Sequence, residues 1–217
     1  MPGLTRRSLL GVAAGMAGGA PALAQDRVIE VPLVPTVTGL PEGLSVARTG
    51  KGLPAAWRAA PGDVRGGYVL IQTSADQTDY RFPLAIYDPV RAANLDVSVR
   101  FRAISGRVDR AGGIAVRLRD PDNYYVVRAN ALEDNVNFYR VVRGVRHEIK
   151  GATVKVPSDA WHTLGLSAEG EHFTVSFNGT TLFTATDRAL PEAGHAALWT
   201  KADSVTEFTA IRLVVRT

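Results

Sequence analysis

The sequence predicts an all-β fold, a sandwich of two antiparallel sheets of jelly-roll type. Three observations lead there. Segments rich in β-branched and aromatic residues recur at short spacing after Gly66, turn-forming dipeptides separate them, and no long amphipathic helical window interrupts them.

The chain opens with MPGLTRRSLLGVAAGMAGGAPALAQ. Arg6 and Arg7, an apolar stretch from Leu9 to Ala17 and a small-residue end at Ala22-Leu23-Ala24 give the three-part layout of a secretory signal. The apolar stretch is shorter than the roughly 20 residues a membrane span needs. Cleavage is expected before Gln25, so residues 1–24 read as signal peptide and residues 25–217 as a single jelly-roll domain, periplasmic or secreted. Thr5-Arg6-Arg7-Ser8-Leu9-Leu10 has the form of a twin-arginine signal, with an ordinary signal that happens to carry two arginines as the alternative.

In the mature region a first strand is expected from Arg27 to Val34. A loop should follow to about Ala60, because Pro32, Pro35, Pro41 and Pro54 are spaced through the segment. Further strands are expected at Tyr68–Gln72, Tyr80–Tyr87, Leu95–Ala103, Gly113–Arg119, Tyr124–Asn130, Val136–Arg143, His162–Ala168, Phe173–Asn178 and Thr206–Val215. Asn178-Gly179 supplies the two positive φ angles of a type I′ hairpin. Asp120-Pro121-Asp122-Asn123 suits a type I turn, and Arg143-Gly144 and Glu169-Gly170 read as further reversals.

Composition excludes several function classes. The 217 residues hold 25 Lys and Arg against 21 Asp and Glu, and the signal would remove two of those cations and no acid. So near-balanced a chain gives no electrostatic case for nucleic acid. With no cysteine, thiol catalysis and thiolate metal sites are ruled out. No second apolar segment reaches membrane length, so no span is expected in the mature chain.

From about Gly112 the resemblance becomes specific. The run GGIAVRLRDPDNYYVVRANALEDNVNFYRVVRGVRHEI, then Trp161-His162-Thr163-Leu164, Phe177-Asn178-Gly179 and GHAALWTKADSVTEF, resembles the concanavalin A-like, laminin-G-like jelly rolls. Within that group it is most similar to bacterial 3-keto-disaccharide hydrolase-like domains, loosely family 16 glycoside hydrolase-like. The resemblance implies two antiparallel sheets, one of them concave and suited to a saccharide, but no particular activity.

Strand alternation sorts the motifs by face. Ile114, Val116 and Leu118 form an apolar side, joined by Tyr125, Val127 and Ala129. Arg117, Arg128, Asn130, Asn137 and Tyr139 then share the opposite side, where guanidinium forks, amides and an aromatic ring suit sugar hydroxyls and a sugar ring. A solvated outer face is the plainer alternative. Arg140 is the weak point, since alternation puts it with Phe138 and Val142, so that either a bulge turns it out or the polar face is the other one. Trp199, Lys201 and Asp203 project together if their strand persists, as a ligand platform beside a charge pair. A structural ion pair at a strand end is the competing reading.

Hydrolysis would need two carboxylates on one site. No strand carries the alternating Glu, Asp, Glu of family 16 glycosidases, and Glu169-Gly170-Glu171 reads as a turn. Asp203 and Glu133 are the carboxylates left to suspect, with Lys201 or Arg128 stabilising negative charge. Asp120, Asp122 and Asn123 lack the Gly and distal Glu of a calcium loop, so calcium is only a lesser alternative to a turn and no other cofactor is expected. The four histidines show no ligand spacing. The leading reading is therefore a non-catalytic or weakly catalytic domain that binds a glycan or related polyhydroxylated ligand. A glycoside hydrolase or lyase acting on 3-keto-glycosides is the first alternative, and an envelope protein-interaction module the second.

Overall fold

The computed structural model describes residues 25–62 and 67–217; the expected signal segment lies outside the described residues. Fifteen strands are found among them. These are β1 Arg27–Glu30, β2 Leu44–Gly50, β3 Trp57–Pro61, β4 Tyr68–Gln72, β5 Arg81–Ala92, β6 Leu95–Ser105, β7 Ala111–Asp120, β8 Asn123–Asn130, β9 Asn135–Val142, β10 Val145–Thr153, β11 His162–Glu169, β12 His172–Phe177, β13 Thr180–Thr186, β14 Gly194–Trp199 and β15 Val205–Val215. No described helix is long and apolar enough to cross a membrane.

The strands form two antiparallel sheets. One runs β13-β12-β11-β6-β15-β4-β3, with β1 also on β15, and the other runs β10-β9-β8-β7-β14-β5-β2. Alternation builds the layer between them. In β6, Leu95, Val97, Val99, Phe101 and Ala103 point inward, and in β11 Leu164, Leu166 and Ala168 do the same. They meet Ile114, Val116, Tyr125, Val127, Ala129, Val136 and Phe138 of the second sheet in one core. Tyr125, Phe138 and Phe173 have ring centroids 4.6–5.7 Å apart, close enough for aromatic packing to add to area burial.

Several expectations are corrected. The stretch assigned to loop before Ala60 contains β2 and β3, both edge strands with a single partner. Apart from Thr49 and Trp57 their side chains are half-buried or exposed, so their apolar signal is diluted, and Pro61 sits at an edge where a missing N–H costs no ladder bond. Strand β10 is likewise an edge strand, mostly exposed.

A bulge in β7 is the larger correction. Pairing with β8 shifts register between Val116 and Asp120, and Arg117 takes φ of 50°. Such a bulge breaks alternation. Leu118 therefore leaves the face of Ile114 and Val116 and joins the apolar cluster on the outer side of the sheet. Arg117 swings to the sandwich interior, where its guanidinium donates to the carbonyls of Ala93 (2.8 Å), Leu190 (3.1 Å) and Gly170 and lies over the rings of Tyr125 and Phe173. It is a structural residue rather than part of the polar face.

Arg140 needs no bulge. The β8–β9 register runs unbroken, and the Arg140 side chain reaches the sandwich rim to meet Asp187 at 2.5 Å. That carboxylate also accepts from Tyr125 at 2.7 Å, so an arginine on the apolar side is paired rather than stranded.

Candidate functional site

The outer face of the seven-stranded sheet can be laid out from its register. Leu84, Trp199, Gly113, Arg128 and Asn137 stand in one row across five strands. The next row is Ile86, Ala197, Ala115, Val126, Tyr139 and Glu148. Tyr124, Val141 and Arg146 follow on one flank, and Asn130 pairs with Asn135 on the other. Arg128, Asn130, Asn137 and Tyr139 thus share one face, as alternation requires.

The middle of that face is apolar. Phe82, Leu84, Ile86, Ala115, Leu118, Val126, Val141, Ala197 and Trp199 form a second buried cluster, distinct from the sandwich core. Trp199 is part of that floor; its indole N–H donates to the Tyr124 hydroxyl at 3.2 Å. The wholly polar face expected from spacing is therefore a polar corner beside an apolar floor.

Arg128 centres the corner. It is 3% exposed and donates to Asn135 Oδ1 at 2.9 Å, Glu133 Oε2 at 2.7 Å and the Tyr139 hydroxyl at 3.0 Å. The amide of Asn137 donates to the same hydroxyl and to Glu148 Oε2, both at 3.1 Å. Burial opposes ionisation of Glu133, but the Arg128 hydrogen bond and charge outweigh it and hold the carboxyl below its ordinary value. Glycine at 151 makes room for this arrangement, because a Cβ there would overlap Asn137 Oδ1.

A second group adjoins the corner. Asp109 is 1% exposed, accepts from Asn130 Nδ2 at 3.0 Å and pairs with Lys201 Nζ at 3.0 Å. Burial raises its pKa, with Lys201 and Arg128 pulling the other way. Lys201 also meets Asp79 at 2.5 Å. Asp203 does not project with Trp199 and Lys201. Strand β14 ends at Trp199, Ala202 takes φ of 48°, and the Asp203 carboxylate turns to accept the backbone N–H groups of Arg107 (2.7 Å), Val108 (3.0 Å) and Asp109 (3.0 Å). Burial works against its charge, but those three donors depress its pKa. It fixes the loop that presents Asp109.

Of the expected site residues, Arg128, Asn130, Asn137 and Tyr139 come together with Glu133 at the rim. Lys201 lies beside them through Asp109, Trp199 lies in the floor, and Arg117 and Asp203 serve the framework. Asp109, Asn135, Arg146 and Glu148 were missed. Asn135, Arg146 and Glu148 follow from alternation once β9 and β10 are paired; Asp109 gives no local signal. Asp120 closes its own turn, accepting from Asp122 N at 2.8 Å and Asn123 Nδ2 at 2.9 Å. The corner offers donors and acceptors at fixed positions, backed by a buried apolar cluster that holds them in place, and such groups suit hydroxyl-rich molecules.

Comparison with known proteins bears on the fold and the family. No curated protein is significantly similar in sequence. Among solved structures, the carbohydrate-binding module CBM66 from Bacillus subtilis superposes with a TM-score of 0.60 at 18% identity, over 78% of this chain and 94% of that one. Lectin II from Ulex europaeus gives 0.61 at 11% identity, over 88% and 99% of the two chains. The Bacillus licheniformis β-glucanase gives 0.59 at 13% identity, over 88% and 98%. At such identities the likeness establishes the fold, a concanavalin A-like jelly-roll sandwich. A family model, the galactocerebrosidase C-terminal lectin domain, matches residues 95–215, more than half of the sequence and all of strands β6 to β15. The chain belongs to the family of the galactocerebrosidase C-terminal lectin domain.

Proposed function

We propose that this chain is an exported glycan-binding domain that takes its saccharide at the polar corner of the seven-stranded sheet. The observation that carries the reading is the network of Arg128, Glu133, Asn135, Asn137, Tyr139 and Glu148. It places guanidinium and amide donors and carboxylate acceptors on one sheet face. A sandwich core needs none of these groups, and buried ionic networks contribute little to stability, so their collection at the edge of an apolar floor fits a ligand better than a structural role. Membership of a lectin-domain family, and likeness to a carbohydrate-binding module and a plant lectin, support the same reading. The layout of residues 1–24 supports export, with the ligand met in the periplasm or outside the cell.

A glycan array followed by calorimetry on the purified protein tests the binding. Asn137→Ala, which removes a half-buried amide of β9, should weaken the best saccharide about fivefold to tenfold with the fold intact by circular dichroism. Absence of saccharide binding by a folded sample would overturn the proposal. Fractionation of cells expressing the protein, with Arg6→Lys and Arg7→Lys together as comparison, tests the export route.

A further inference from the structure

Arg146, on the edge strand β10, is used by nothing described so far. Its guanidinium carbon lies 4.5 Å from the ring centroid of Tyr139, 5.0 Å from that of Phe82 and 6.0 Å from that of Trp199. Three aromatic faces thus hold one cation, an arrangement that stabilises and also orients it. The backbone is fixed too. The Tyr80 hydroxyl accepts from Arg146 N and donates to Gly144 O, both at 2.8 Å, so the β9–β10 turn is tied to the segment entering β5.

Every other cation of the corner has a carboxylate. Arg128 has Glu133, and Lys201 has Asp79 and Asp109. Among the described residues Arg146 has none, and its Nη1 is buried without a hydrogen-bond partner, as is Nε of Arg128. Arg128 also lies over Tyr139, 5.6 Å from the ring centroid, so both incompletely bonded guanidiniums flank the same ring. A buried charged donor without a partner is costly, and a guanidinium fork matches an anionic oxygen pair better than it matches a hydroxyl. The nearby carboxylates are engaged elsewhere, Glu133 by Arg128 and Asn135 and Glu148 by Asn137.

We propose that Arg146 is the anion contact of this site, and that the saccharide it takes is acidic, carrying a carboxylate within reach of the Tyr139 ring. The inference rests on the glycan-binding reading and narrows it to a ligand class. Sugar hydroxyls meet Asn137 and Glu148, while the carboxylate completes the bonding of Arg146 that the protein leaves open.

Calorimetry with short oligouronates, each beside its neutral methyl ester, tests this because the pair shares every hydroxyl and differs only at the carboxyl groups, in charge and one methyl. The acid should bind about tenfold tighter or more, as charge-assisted hydrogen bonds do, and the margin should shrink as salt is raised. Arg146→Gln should bring acid and ester to the same affinity, and Arg146→Lys, which keeps the charge but loses the fork, should restore part of the margin. Equal binding of acid and ester by the unmodified protein, or a margin that survives Arg146→Gln, would overturn the inference while leaving glycan binding in place. If Arg146→Gln does not fold, the acid-to-ester ratio of the unmodified protein and its salt dependence decide the matter. Failure to bind any saccharide, neutral or acidic, would overturn the glycan-binding reading itself.

Discussion

Replacing Asp203 by Ala removes one acceptor that serves three backbone donors, those of Arg107, Val108 and Asp109. Arg107 and Val108 are exposed, so water can take up their N–H groups, and each lost charged hydrogen bond then costs about 1 kcal/mol. Asp109 is buried, and leaving its N–H unpaired costs about 2 kcal/mol more. The expected loss is about 4 kcal/mol, which for a domain of this size lowers Tm by about 8–16 °C. Differential scanning calorimetry at pH 7 measures it. The pH dependence follows from the depressed pKa of Asp203, whose ordinary value is 3.8. A carboxylate with a lower pKa in the folded state stabilises fully above its unfolded pKa and loses that contribution as pH falls through its folded value. The gap between unmodified protein and Asp203→Ala should therefore be constant from pH 7 down to about pH 5 and narrow in stronger acid, without vanishing, as the carboxylate is protonated. A Tm within 2 °C of the unmodified protein at pH 7 would refute the reasoning, as would a gap that widens in acid.

Three further substitutions probe other parts of the fold. Gly151→Ala should displace only the end of the Asn137 side chain, so stability should change by less than about 1 kcal/mol while saccharide affinity falls as in Asn137→Ala; a large loss of Tm would contradict this. Tyr125→Phe removes a hydroxyl that donates to Asp187 and accepts from Leu190 N at 3.1 Å, and should cost about 2 kcal/mol by urea unfolding. In the unmodified protein that phenol, raised to about 12 by burial and by its bond to Asp187, should still be protonated when exposed tyrosines have titrated in ultraviolet difference spectra. Gly179→Ala, at φ of 80° with open space around it, should cost about 1 kcal/mol from backbone conformation alone, with unchanged affinity.

The parts of this fold legible in the sequence are those where local pattern and tertiary burial agree. Strands β6 and β11 alternate strictly because one side of each faces the core, and the Asn178-Gly179 hairpin has positive φ at both residues, 49° and 80°. The shared face of Arg128, Asn130, Asn137 and Tyr139 was readable for the same reason, since a single register slip would have turned that set into the core between the two sheets. The edge strands β2, β3 and β10 were illegible because nearly all their side chains are half-buried or exposed, so no buried side repeats at every second residue. Arg117 misled because a bulge depends on long-range pairing, here with β8 and β14, and no residue-level pattern announces it. Asp109 escaped notice because its partners Asn130, Lys201 and Asp203 are 21, 92 and 94 positions away, joined only by the finished sandwich. The apolar floor was hidden by a habit of assigning one apolar face to each strand, whereas β8 is buried on both.

The position of β15 bears on how this chain can be made. Its eleven residues, among the last in the sequence, lie between β6 on one side and β4 and β1 on the other, so the first strand and the last are hydrogen-bonded neighbours. Until β15 has left the ribosome the eight-stranded sheet lacks the strand that joins its two halves. Until then the chain can form hairpins such as β8–β9 or β11–β12 but cannot close its core, and the long-range pairings that follow are the slow step for sheets of this topology. Loss of β15 would therefore leave not a shortened domain but an unfinished one.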